Sequence, residues 1–241
     1  MQKLIGKMAR MYPLFILMGF MIVVTAFVVG YLNSQAATAY FAESKVIRET
    51  TLMAQRATIE SVGLWLPYFK FLGIGFILSG IVMALRVIID ALKGAGNQVL
   101  ANLPEGKRPA LPATPWYGLW MPAVMMLGLT VFIVALIVSI DLAGIAQGLF
   151  ANPLPVIDAA GAGSALLVQV QAIHSTLAWL IPLKFFAIST EFLAIAMGLS
   201  TIIYILSNQT KMIDEGIQLA RSLRQRQGKA NIEKKSERVL A

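Results

Sequence analysis

The sequence predicts an all-helical membrane protein with four transmembrane helices, arranged as two tandem hairpins of the same orientation. Three observations predict it. Long charge-free apolar runs recur along the chain, positive charge gathers in alternate connecting segments, and the second span of each hairpin repeats in sequence. Over 241 residues, 58% are hydrophobic and 13% charged, and the mean hydropathy is +0.74. Soluble domains carry about 25% charged residues, so a soluble fold is excluded.

The first span is Tyr12 to Leu32, within the stretch between Arg10 and Glu43 that holds no charged residue. Its length suits the ~30 Å of bilayer hydrocarbon. Lys3, Lys7 and Arg10 before it and Ala37-Thr38-Ala39 after it resemble the flanks of a secretory signal. The apolar run exceeds the roughly 7–15 residues of a signal core, so a retained anchor is expected.

From Asn33 to Glu60 the chain has three acidic and three basic residues and neither Pro nor Gly, which predicts a helix. Val46, Met53, Ala57 and Trp65 recur near helical spacing, one face for packing outside the membrane. The balanced charge suits the side away from the cytoplasm.

The second span runs from about Val62 to Ile89, with Gly73, Gly75 and Gly80 where a neighbouring backbone can approach closely. Lys93 to Pro115 is a connector, with Pro104-Glu105-Gly106-Lys107-Arg108-Pro109 at its centre. The third span, Trp116 to Ile140, opens on an aromatic belt of Trp116, Tyr117 and Trp120. The segment Asp141 to Ser175 reads as a loop with two aspartates, no Lys or Arg, and turns at Asn152-Pro153 and Gly161-Ala162-Gly163. The fourth span covers about Leu177 to Leu206, and Ser207 to Ala241 carries eight Lys/Arg against four Asp/Glu.

The organisation expected is therefore a first hairpin over residues 1–100, a Pro-rich connector at 101–115, a second hairpin over 116–206 and a basic tail at 207–241. Positive charge lies in the N-terminal segment, the connector and the tail, which the positive-inside rule assigns to the cytoplasm together with both termini. The localisation this implies is a multi-pass protein of a cell membrane, the inner or plasma membrane of a prokaryote. Charge placed beside spans serves headgroups and insertion, so no nucleic-acid partner is expected.

Trp65, Leu66, Lys70, Phe71, Ile74, Ile81, Met83, Leu85, Ile88 and Ile89 match Trp179, Leu180, Lys184, Phe185, Ile188, Ile195, Met197, Leu199, Ile202 and Ile203 at an offset of 114 residues. At an offset of 109, Pro13, Gly19 and Ala26 match Pro122, Gly128 and Ala135. Each hairpin has an even number of spans, so both copies insert the same way and their symmetry axis lies along the membrane normal. A quasi-twofold four-helix bundle is the arrangement expected.

With no cysteine and the single His174, thiol chemistry and multi-histidine metal sites are excluded within one chain. No catalytic set and no cofactor or metal motif is present, and the chain is expected to be no enzyme. Glu191 is the acidic residue deep in a span, where a charge costs roughly 2.5–3.5 kcal/mol. It serves either a proton or cation relay, or the packing of helices and subunits. Its repeat counterpart is Ile77.

Lys70 and Lys184 are equivalent, each below an outer tryptophan, Trp65 or Trp179. They either bind an anionic headgroup or snorkel. His174 is expected to be a surface residue. In the tail, Arg221 and Arg224 border an apolar face of Ile213, Ile217 and Ala220. That segment lies on anionic lipid or continues the fourth span toward a partner.

The function expected is a non-enzymatic membrane subunit, a homo-oligomer or an accessory component beside other membrane subunits. The rival is a small channel or transporter that uses Glu191.

Overall fold

The computed structural model describes residues 9–101 and 113–240, with side chains for all of these except 99–101, 213–217 and 219–240. The described residues form helices α1 (Tyr12–Ala42), α2 (Lys45–Thr50), α3 (Met53–Ala101), α4 (Trp116–Phe150), α5 (Leu154–Asp158) and α6 (Ala165–Leu240), with no strand. Four of them, α1, α3, α4 and α6, are long and apolar enough to cross a membrane. In hydrocarbon a helix satisfies all its backbone groups internally, which is why these runs are helical throughout.

The connections follow local chemistry. α1 carries Pro13 in its first turn, where the missing N–H costs nothing. It ends at Ala42, short of the continuous helix expected from Asn33 to Glu60. Glu43 is extended, and the Ser44 hydroxyl accepts from the Ile47 N–H at 3.4 Å to start α2 as a separate turn. A second interruption at Thr51-Leu52 precedes α3. The face proposed on that helix is accordingly broken: Ala57 is buried, but Val46 is 71% exposed.

The expected loop from Asp141 is also shorter. α4 continues through Asp141 to Phe150, because the first helix-breaking pair is Asn152-Pro153. After α5 the chain turns at Gly163, whose φ of +81° suits a residue without a Cβ. The Ser164 hydroxyl then caps α6 by accepting from the Leu167 N–H. α6 runs unbroken from Ala165 to Leu240, so the backbone of the basic tail continues the fourth span. The connector's centre, Pro104 to Pro109, lies outside the described residues, as do Lys3 and Lys7.

α1 packs on α3, α3 on α4, and α6 on both α3 and α4. The core lies between α3, α4 and α6, around Val82, Met121, Met125, Phe132, Leu180 and Ala194. A twofold bundle would set α1 against α6 as α4 is set against α3. Instead α1 rests almost wholly on α3, a departure from the quasi-twofold arrangement expected.

Backbone approach sets these crossings. A Cβ on Gly19 would stand 2.5 Å from the Gly73 carbonyl oxygen, and one on Gly80 3.2 Å from that of Tyr12, so α1 and α3 touch main chain to main chain. In the second pair, a Cβ on Gly128 would stand 3.2 Å from the Ala187 carbonyl oxygen and 3.0 Å from Glu191 Cγ.

Candidate functional site: the buried glutamate

Glu191 sits near the middle of the apolar part of α6, wholly shielded from solvent. Three helices enclose it. From α3, the Ser79 hydroxyl, itself fully buried, donates to Glu191 Oε1 at 3.1 Å. From α4, Gly128 leaves the volume that the carboxyl occupies. On α6 itself, Ala187 one turn earlier and Ala194 one turn later are both buried, and the small side chains keep the helices close. Oε2 is buried and has no hydrogen-bond partner among the described residues.

The surroundings are apolar, with Leu72, Leu129 and Phe132 forming one core cluster beside Ala187. The other buried serine and threonine hydroxyls of the spans turn inward on their own helices. Thr190 donates to the Phe186 carbonyl, Thr201 to that of Met197 and Ser139 to that of Leu136. Among the described residues, Ser79 to Glu191 is thus the one side-chain hydrogen bond that joins two helices inside the apolar layer.

Lys184 does not reach the carboxyl, and no ion pair links the two among the described residues. Its ammonium lies 5.7 Å from the Tyr68 ring centre, 5.3 Å from Phe71 and 5.2 Å from Phe185, a cation held by aromatic faces of α3 and α6. Its repeat counterpart, Lys70, lines a groove between α1 and α3 with Phe27, Gly30 and Leu66. The two lysines therefore occupy different surroundings. Trp65 stacks edge-on against Phe69 at 5.7 Å, whereas Trp179 is 48% exposed. His174 is exposed. Arg221 and Arg224 fall on α6 where side chains lie outside the described residues.

Polar contacts also fasten the ends of the helices. Gln55 on α3 donates to the Ala36 carbonyl of α1 at 3.1 Å, and Gln209 on α6 to the Leu92 carbonyl of α3 at 2.7 Å. Arg56 lies 4.7 Å from the Phe150 ring centre, joining the start of α3 to the end of α4. Lys93 donates to the Thr114 hydroxyl at 2.6 Å, holding the far end of the connector against α3.

Sequence reasoning singles out Glu191 because it is an acid in a charge-free span. It misses Ser79 and Gly128, whose roles depend on how the helices are rotated against each other; the repeat register aligning Gly128 with Gly19 was the available signal. Among the described residues no group of three or more His, Asp or Glu side chains converges on a metal position. No family model, curated protein or solved structure matches the chain.

Proposed function

We propose that this chain is a non-enzymatic subunit of a membrane complex, an oligomerising or accessory element of a prokaryotic cell membrane. It is built from one helical hairpin duplicated in the same orientation, with both termini and the connector in the cytoplasm. One observation carries this reading: the single acid in the apolar layer is sealed between three helices and hydrogen-bonded to Ser79 across the two hairpins. A group so placed holds helices together, at a site where lipid gives no hydrophobic drive for their association.

The duplication is supported by contacts that recur at the repeat offsets. Gly19 meets Gly73 and Ile77, and their counterparts Gly128, Ala187 and Glu191 meet in the same way. Gly80 faces Ile16 and Tyr12, while Ala194, Met125 and Met121 share one cluster. The acid thus replaces Ile77 at an inherited helix crossing.

The measurement is the mass of the complex carried in mild detergent or lipid discs by native mass spectrometry. The expected result is a defined assembly of several copies, or of this chain with other membrane subunits. A single chain migrating alone would overturn the reading.

The unpartnered Oε2 supports a second reading, a small channel or transporter that passes an ion or proton by way of Glu191. Glu191→Gln keeps the size and an acceptor for Ser79 but removes the titrating group. If ion or proton flux in reconstituted vesicles disappears in this variant while the assembly keeps its mass, the second reading replaces the first. Equal flux with and without the substitution eliminates it.

A further inference from the structure

We infer that a second copy of this chain lays its α1 against the bare face of α6, repeating between chains the contact that α4 makes with α3 inside one. The inference rests on the reading of the chain as an oligomerising, duplicated hairpin.

On α3, Leu72, Gly75 and Ser79 form one helical stripe, and all three are buried. α4 covers Leu72 and Gly75: Leu129 and Phe132, 6% and 1% exposed, share an apolar cluster with Leu72, while Ser79 donates to Glu191 of α6. Gly75 matters to this fit, because the Phe132 ring comes within 2.6 Å of where a Cβ would stand.

The repeat offsets carry each member to a counterpart. Leu72, Gly75 and Ser79 fall on Phe186, Ser189 and Leu193 of α6, and Leu129 and Phe132 fall on Phe20 and Val23 of α1. Inside one chain these two sets never meet, because α1 sits on α3 rather than across α6. Phe186 is 54% exposed, Leu193 55% and Phe20 57%, Ser189 is exposed and Val23 is half-buried.

Exposure alone identifies nothing here, since lipid covers apolar faces without penalty. What identifies the occupant is descent. Each chain carries both halves of an interface whose inherited counterpart is already closed within it, and a second copy is the molecule that brings the matching half. Where Gly75 leaves room for the Phe132 ring, the bulkier Ser189 is matched by the smaller Val23, and neither stripe carries a charge.

The contact is heterologous, with α6 of one chain on α1 of the next. It leaves α6 of that next chain free, so it propagates into a ring where the rotation closes and a row where it does not.

The chain has no cysteine, so introduced thiols are unique. Phe20→Cys and Phe186→Cys are made in separate, differently tagged chains and co-expressed, and their membranes are treated with a short bifunctional thiol reagent. The expected product is a mixed dimer containing both tags, with no dimer when either variant is expressed alone. Val23→Cys with Ser189→Cys supplies a second pair at the neighbouring position.

If native mass spectrometry finds an assembly of this chain but neither pair gives the mixed dimer, the inference fails and the function reading stands. Self-linking of Phe186→Cys alone would also overturn it, because that requires two α6 faces meeting each other. A lone monomer in the mass measurement overturns both.

Discussion

At the residue scale, Glu191 is held by shape as much as by its hydrogen bond. Gly128 is the partner that makes room, since a side chain there would start 3.0 Å from Glu191 Cγ and Oε1. Gly128→Leu is therefore expected to cost about 1–3 kcal/mol through overpacking. Glu191→Ala leaves a void and strips the buried Ser79 hydroxyl of its acceptor, an expected loss of about 2–4 kcal/mol. Glu191→Gln preserves volume and acceptor and is expected to stay within about 1 kcal/mol of the parent. Reversible unfolding in mixed micelles measures all three, and the order Gln, then Leu or Ala, is the expected ranking. An Ala variant as stable as the parent would remove the structural role given to the carboxyl.

At the element scale, the glycines divide by what stands opposite them. Gly19 faces the Gly73 backbone oxygen at 2.5 Å from any added Cβ, and backbone cannot swing aside as a flexible side chain does. Gly63, on the same helix as Gly73, has nothing within 4 Å of an added Cβ. Gly19→Ala is expected to destabilise by about 1–3 kcal/mol. Gly63→Ala is expected to stabilise by up to about 1 kcal/mol, since alanine is the better helix former and meets no obstacle. Thermal unfolding of the two purified variants checks the opposite signs.

The same contrast explains what the sequence made legible. Spans are set by local composition, so all four were readable, as was the lone acid in the last of them. Whether Gly19 or Gly63 is a contact depends on helix rotation and partner choice, which composition does not encode. The break at Ser44 and the extension of α4 past Asp141 lie outside the charge-free runs, where capping and breaker residues decide boundaries and the apolar pattern is silent. The departure of α1 from α6 was least readable, because a repeat in sequence does not fix how its two parts pack against each other.

At the scale of the whole molecule, the orientation proposed for the chain rests on where lysine and arginine lie. Were all four long helices to cross, the α3–α4 connector would lie on the same side as both ends, and those are the segments rich in positive charge. The segments holding α2 and α5 are balanced or acidic, and in the proposed orientation they lie on the other side. With no native cysteine, single thiols report each segment without background. Thr50→Cys at the end of α2 and Gly161→Cys beyond α5 occupy exposed positions, as does Asn97→Cys near the end of α3. In intact cells, a membrane-impermeant maleimide is expected to label the first two and to reach Asn97→Cys only after the membrane is opened. The reverse pattern would invert the molecule and put the basic tail outside, while labelling of Thr50→Cys without Gly161→Cys would mean that one hairpin does not cross as a pair. Two hairpins crossing in the same sense is the condition for α1 of one copy to run beside α6 of another in the direction that α4 takes beside α3. The labelling experiment therefore tests, independently of any cross-link, the geometry on which an assembly of these chains depends.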